Sequence, residues 1–186
     1  MCRILAIKNF NFRLHADILN GFIDLSVNGK VPPNNEKGHH DGWGIGYYRN
    51  SRAGVFKSGG DITAEKQICL KRLREISSSR FLLVHLRKSA WPDTNAVRNS
   101  QPFKMKNFLF AHNGTIYDYH KIKYNARPAL DSEVFFRLIV SRASKGLNSA
   151  FGGCVSFLRS YLKHSSLTSV ITDGNHLYAV REYTKL

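Results

Sequence analysis

Phe81-Leu82-Leu83-Val84-His85-Leu86-Arg87-Lys88 and Phe108-Leu109-Phe110-Ala111-His112-Asn113-Gly114 are dense apolar runs, and each breaks off into polar residues. Both are too short for helices and rich in bulky side chains, which predicts buried strands. Working outward from them, Cys2 to Ile7 reads as a strand that begins almost at the terminus. Trp43 to Tyr48 and Gly54 to Lys57 read as a hairpin closed by Arg49-Asn50-Ser51-Arg52. Leu167 to Thr172 and Leu177 to Tyr183 read as another, turning at Asp173-Gly174-Asn175. Apolar residues at three- and four-residue spacing predict four helices: Leu14, Ile18, Phe22 and Leu25 mark the first, and Asp61 to Ile76 is the second. The others are Asp131 to Ser144, with Val134, Phe135, Leu138 and Ile139 inward, and about Asn148 to Lys163. Cys69 falls on the inward side of the second. Asn28-Gly29 and Pro32-Pro33-Asn34-Asn35 predict an exposed loop, and Ser89 to Phe103 is a polar connection long enough to carry function. Strands, then helices, then strands again give an α+β domain layered on antiparallel sheets.

The composition agrees and excludes several classes. At 186 residues with 42% apolar content, one compact core is the expectation. No apolar run of membrane-spanning length occurs and the N-terminal apolar stretch is too short for a signal peptide, so a cytoplasmic protein without a membrane partner is expected. The cysteines Cys2, Cys69 and Cys154 are scattered and odd in number, which suits a reducing compartment. The formal charge of +15 is the loudest compositional signal, and Lys66 to Lys106 holds much of it. Such charge speaks to polyanion affinity and solubility rather than to fold. It makes a non-enzymatic polyanion- or nucleic-acid-binding protein the rival reading, although no helix-turn-helix, zinc finger or aromatic-basic RNA signature accompanies it.

Five residues could do chemistry. Removal of Met1 ahead of the small Cys2 leaves a thiol and a free α-amine on one residue, so the nucleophile carries its own base; otherwise Cys2 merely packs. Asn113 and Gly114 offer a side-chain amide and a backbone N–H for an oxyanion, or else form a tight Asn-Gly turn. Arg87 is either a solvated strand end or a planar fork for a carboxylate. Asp131 is either a helix N-cap or a carboxylate partner for a substrate ammonium. His39-His40-Asp41-Gly42-Trp43-Gly44 lacks a second ligand cluster, so no metal and no other cofactor is expected. Its glycines are read as sites of close backbone approach.

In order, Cys2-Arg3-Ile4-Leu5, Asp41-Gly42-Trp43-Gly44-Ile45, His85-Leu86-Arg87-Lys88, Asn99-Ser100-Gln101-Pro102-Phe103, Phe110-Ala111-His112-Asn113-Gly114 and Asp131-Ser132-Glu133 resemble the class II glutamine amidotransferases of the N-terminal-nucleophile hydrolase superfamily. The nearer likeness is to the stand-alone branch of predicted amidotransferases and γ-glutamyl amide hydrolases. The resemblance implies a four-layer αββα sandwich over residues 1–186. It makes Cys2 the nucleophile, Asn113 and Gly114 the oxyanion hole, Arg87 the α-carboxylate site and Asp131 the α-ammonium site. The substrate it implies is glutamine or a γ-glutamyl small molecule, and an ammonia-accepting synthase subunit or a second copy of the chain is an admissible partner. Three departures stand out: Gln101 where the family usually has His, the loop Ala90-Trp91-Pro92-Asp93-Thr94, and an end at Leu186 soon after the last strand. The last implies a domain shortened at its C-terminus, either lacking part of one sheet or completing it with another subunit.

Overall fold

The computed structural model describes residues 2–31, 37–91, 94–122 and 130–183. Met1, all of the expected Pro32-Pro33-Asn34-Asn35 loop, and Pro92 and Asp93 lie outside them. Among the described residues, eight strands form two antiparallel sheets. The first holds β1 (Arg3–Asn11), β2 (Trp43–Arg49), β3 (Arg52–Ser58) and β4 (Ser78–Leu86) in the order β1-β4-β2-β3. The second holds β5 (Phe103–Met105), β6 (Phe108–Asn113), β7 (Thr168–Thr172) and β8 (Leu177–Val180) in the order β5-β6-β7-β8.

The sheets face each other across Phe81, Leu83, Leu109, Ala111 and Val170. Helices α1 (Phe12–Asn28) and α2 (Lys66–Ile76) cover the outer face of the first sheet through Leu19, Phe22, Ile23, Cys69 and Leu73. Helices α3 (Asp131–Arg142) and α4 (Leu147–Tyr161) cover the second through Phe135, Phe136, Phe151 and Leu158. This is the expected four-layer αββα arrangement. Alternation explains it: on β4, Phe81, Leu83 and His85 point between the sheets while Leu82, Val84 and Leu86 point to the helices, which is why the run is apolar throughout.

Several elements differ from the sequence expectation. The second helix begins at Lys66 rather than Asp61, because the Asp61 carboxylate accepts hydrogen bonds from Thr63 N and Oγ1 and closes a turn there. On α1 the core takes Leu19, Phe22, Ile23 and Ser26, so only Phe22 of the expected stripe is inward and Leu14, Ile18 and Leu25 face solvent. The last strand stops at Val180, with Tyr183 reduced to a bridge to Ser166. The short β5 falls at the end of the expected Ser89–Phe103 connection. The first hairpin turns as expected, on Asn50 and Ser51, both at positive φ.

The layering sets the site. β1 starts where β4 ends, with Arg3 opposite Leu86 and Trp43 opposite the same residue. Cys2 and Arg87 therefore emerge side by side at one end of the first sheet. The end of β6, Asn113 opposite Thr168, belongs to the facing sheet.

Candidate active site

A small cavity of about 40 Å³ has Cys2, Arg87, Gln101, His112, Gly114 and Asp131 on its wall. Residues far apart in sequence thus share one concavity, as the reading of Cys2, Arg87, Gly114 and Asp131 requires. Asn113 stands one residue from Gly114 at the half-buried end of β6 and is not on that wall. A larger groove of about 660 Å³ opens by Asn9, Asn11 and Arg80, at the other end of β1 and β4, and holds none of these groups.

Cys2 is half-buried, and its thiol contacts the Lys88 carbonyl at 3.5 Å. Burial pushes the thiol above its ordinary pKa, while the Lys88 contact and the Arg87 charge pull the other way. The sulfur therefore rests as a neutral thiol near pH 7 and needs a base before it can attack.

Arg87 is only 4% exposed, which removes the solvated strand end as its role. Nη1 donates to the carbonyls of Asp41 (3.0 Å) and Thr94 (3.1 Å). Nη2 donates to Ser89 Oγ (3.1 Å) and Thr94 Oγ1 (2.9 Å). Burial lowers the pKa of the guanidinium, and the nearby Cys2, Asp41 and Asp131 oppose that shift; arginine remains a cation throughout. The Asp41 carboxylate accepts from Ser89 N at 2.7 Å and so holds the segment that faces the guanidinium.

The glycines of Asp41-Gly42-Trp43-Gly44 are sites of close approach, as expected. A Cβ on Gly42, which also has φ +117°, would collide with Ser100 Oγ, and one on Gly44 would collide with the Gln101 carbonyl. Gly114 is equally tight against Ser166 O, so a side chain there would push the cavity wall away from Ser166. Asn113-Gly114 is not a hairpin turn, since α3 and α4 separate β6 from β7.

Asp131 is the first residue of α3, and the N-cap position falls to Leu130. Its Oδ2 accepts from Ile116 N at 2.7 Å, which ties the helix start to the chain just after Gly114. Gln101 Oε1 accepts from His112 N at 2.7 Å, so the residue that departs from the family pattern pins the end of β6.

The sequence reading missed two buried histidines. His112 Nδ1 lies 2.8 Å from Ser132 Oγ, and Nε2 lies 3.0 Å from the Ser166 carbonyl. Burial pushes its pKa down, so the ring is neutral: Nε2–H donates to Ser166 O and Nδ1 accepts from the Ser132 hydroxyl. This chain fixes the strand carrying Gly114 against the helix carrying Asp131. The adjacent motifs at 110–114 and 131–133 were the available signal, but only the fold pairs them. His85 is 0% exposed between the sheets, and neither ring nitrogen has a hydrogen-bond partner among the described residues. Burial first, then the Arg87 charge, pushes its pKa down to about 3.

A histidine whose folded pKa is depressed is protonated first in the unfolded chain. Stability is complete above the unfolded value of about 6.5 and falls as pH drops below it, by about 1.4 kcal/mol per pH unit for each such group. For His85 the fall continues to about pH 3. We expect His85→Leu to flatten the pH dependence of the urea midpoint between pH 6 and 4 by about that slope. Parallel slopes in wild type and variant would show that His85 is not held neutral.

Residues 1–186 match the family model described as glutamine amidotransferases class-II. An uncharacterised protein of Methanocaldococcus jannaschii is 26% identical over 98% of this chain and 51% of its own length, so the chain spans about half of that curated relative. A glutamine aminotransferase class-II domain protein from Silicibacter pomeroyi superposes with TM-score 0.57 at 20% identity, covering 78% of this chain and 70% of that one. Glutamine phosphoribosylpyrophosphate amidotransferase from B. subtilis superposes with TM-score 0.66 at 17% identity, over 97% of this chain and 37% of that one. At these identities the two structures speak to the fold.

Proposed function

The chain belongs to the class-II glutamine amidotransferases, and we propose that it cleaves the γ-amide of glutamine or of a γ-glutamyl compound through a thioester on Cys2. The observation that carries this reading is the shared cavity wall of Cys2, Arg87, Gly114 and Asp131. A thiol, a cation, an anion and a backbone N–H are the groups that an amino-acid amide needs.

In this reading Met1 is removed, and the α-amine of Cys2 takes the thiol proton. The thiolate adds to the γ-carbonyl carbon, and the resulting oxyanion is held by the Asn113 amide and the Gly114 N–H. Collapse breaks the C–N bond; the α-ammonium returns its proton to the departing nitrogen, which leaves as ammonia or an amine. Water, deprotonated by the same amine, then hydrolyses the thioester to a γ-carboxylate and restores the thiol. Arg87 holds the substrate α-carboxylate, which replaces the Ser89 and Thr94 hydroxyls on Nη2. One oxygen of Asp131 is committed to Ile116 N, so the α-ammonium takes the other. The cavity has room for about one water molecule, so binding displaces the Ser89 and Thr94 side chains. Released ammonia goes to a separate synthase subunit when glutamine is the substrate; a γ-glutamyl amide needs only water.

The polyanion-binding reading rests on charge, and five of the cations behind it are engaged within the chain. Of the run from Lys66 to Lys106, Lys66 pairs with Asp24, Arg72 with Glu75, Arg74 lies over Phe12, Arg80 lies over Phe81, and Arg87 is buried. The test is a release assay on protein with a free Cys2 amine, using glutamine and a panel of γ-glutamyl amides. Glutamate and the matching amine are expected from at least one of them in a steady-state reaction. Intact substrate across the panel would overturn the proposal.

A further inference from the structure

The chain between α4 and β7 is the support on which Gly114 rests. A Cβ on Gly114 would run into the Ser166 carbonyl, and His112 Nε2 holds that same carbonyl at 3.0 Å. Ser165 N donates to the Thr115 carbonyl at 2.9 Å, and Tyr117 N donates to the Lys163 carbonyl at 2.9 Å. Thr115 N donates to Ser165 Oγ at 3.0 Å. Residues 163–168 therefore run antiparallel beside residues 113–117 and set where the Asn113-Gly114 backbone lies.

This support is gripped in turn by Glu182, which stands two residues beyond β8. Its Oε1 lies 3.1 Å from His164 Nε2, and its Oε2 accepts from Leu167 N at 3.1 Å. The other ring nitrogen, Nδ1, lies 2.8 Å from the Leu162 carbonyl. One carboxylate thus ties His164 to Leu167 and closes the stretch between them. The Glu182 carbonyl adds to the grip, accepting from Ser166 Oγ, Leu167 N and Thr168 Oγ1. Both side chains are largely buried, His164 at 6% exposure and Glu182 at 19%. A carboxylate taken out of water is costly unless its oxygens are engaged, and here both are. Neither residue is on the cavity wall, and the proposed chemistry uses neither.

We infer that Glu182 is a positioning residue for the oxyanion hole, acting through His164 and Leu167 on the strand that carries Asn113 and Gly114. The inference rests on the amide-cleavage reading above. Oxyanion donors lower the barrier only while they stay within hydrogen-bond distance of the developing charge, so a loosened support lowers kcat. Arg87 follows β4 and Asp131 opens α3, so the groups that hold the amino-acid head lie on other elements and KM should move less.

Three variants of the full chain test this. Glu182→Met keeps the length of the side chain and removes both oxygens, and His164→Leu breaks the same grip from the other side. Glu182→Gln keeps it, because its carbonyl accepts from Leu167 N and its amide N–H donates to the ring. Amide hydrogen exchange at Thr115 and Tyr117 is expected to rise about 10-fold or more in Glu182→Met and His164→Leu and to stay at the wild-type rate in Glu182→Gln. On the amide that wild type cleaves fastest, the first two variants should lose about 10-fold or more in kcat with KM within about threefold, and the glutamine variant should keep wild-type kcat. Unchanged exchange in both Glu182→Met and His164→Leu, raised exchange with unchanged kcat, or a Glu182→Gln variant as defective as Glu182→Met would overturn the inference. A wild type that cleaves no amide would sink the functional reading instead, and the exchange rates would still decide whether Glu182 holds this strand.

Discussion

Cys2→Ala is expected to abolish release of glutamate from every amide that the wild type hydrolyses, a fall of about 10⁴ or more in kcat. Nothing else in the cavity can form the thioester: the remaining wall residues are Arg87, Gln101, His112, Asp131 and their neighbours, and His112 is neutral with both nitrogens engaged. The fold should not notice the change. Among the described residues the hydrogen-bond contact of Sγ is a long one, to the Lys88 carbonyl at 3.5 Å, so stability should stay within about 0.5 kcal/mol of wild type. A companion form that retains Met1, made by placing a bulky residue between Met1 and Cys2, keeps the thiol but turns the amine into an amide. It should lose about as much activity, because burial keeps the thiol protonated and the base is gone. Steady-state kinetics on both forms, with intact mass to establish the N-terminus, checks the pair.

The second large effect is at Arg87. Its guanidinium answers four acceptors: the carbonyls of Asp41 and Thr94 and the hydroxyls of Ser89 and Thr94. Lysine offers a point charge with three donors and no fork, so Arg87→Lys leaves buried acceptors unmatched and cannot grip a carboxylate with two parallel bonds. We expect kcat/KM to fall about 100-fold or more, which is about 2.7 kcal/mol of transition-state stabilisation. Most of it should come from KM if the group serves the α-carboxylate. Stability should fall by about 1–3 kcal/mol for the unsatisfied partners. An unchanged KM for glutamine would remove Arg87 from the substrate site and leave it as the anchor of the Ser89–Thr94 segment.

Much of the architecture was readable because strand alternation and helical spacing are local signals. β4 and β6 stood out as runs, and the Asn50-Ser51 turn needed only two residues able to adopt positive φ. Where the reading failed, a local signal was ambiguous or outcompeted. α1 has two apolar arcs, and spacing alone cannot tell which one meets the sheet. Asp61 began a plausible helix, but its carboxylate took the amide of Thr63 instead. At the site, residue identities were legible while their surroundings were not. Arg87 followed by Lys88 looks like any strand end, and its burial depends on Ser89 and Thr94 folding back over it. Asp131 looked like a cap, yet its carboxylate reaches Ile116, a pairing that only the crossing of β6 and α3 creates. His85 and His112 looked like ordinary members of apolar strands. Nothing local says that one joins Ser132 to Ser166 and that the other sits with both nitrogens unpartnered among the described residues.

The charge of +15 that suggested a polyanion partner has no part in the proposed chemistry, which needs one cation and one anion.

The central claim is that Cys2 forms a covalent γ-glutamyl intermediate, and the most direct measurement is trapping with an electrophilic glutamine analogue followed by peptide mass mapping. On protein with a free Cys2 amine, we predict a single adduct on Cys2, suppressed by excess glutamine, with the buried Cys69 and Cys154 unmodified. Label on Cys69 or Cys154 with Cys2 untouched, or undiminished turnover after Cys2 is fully modified, would contradict the account.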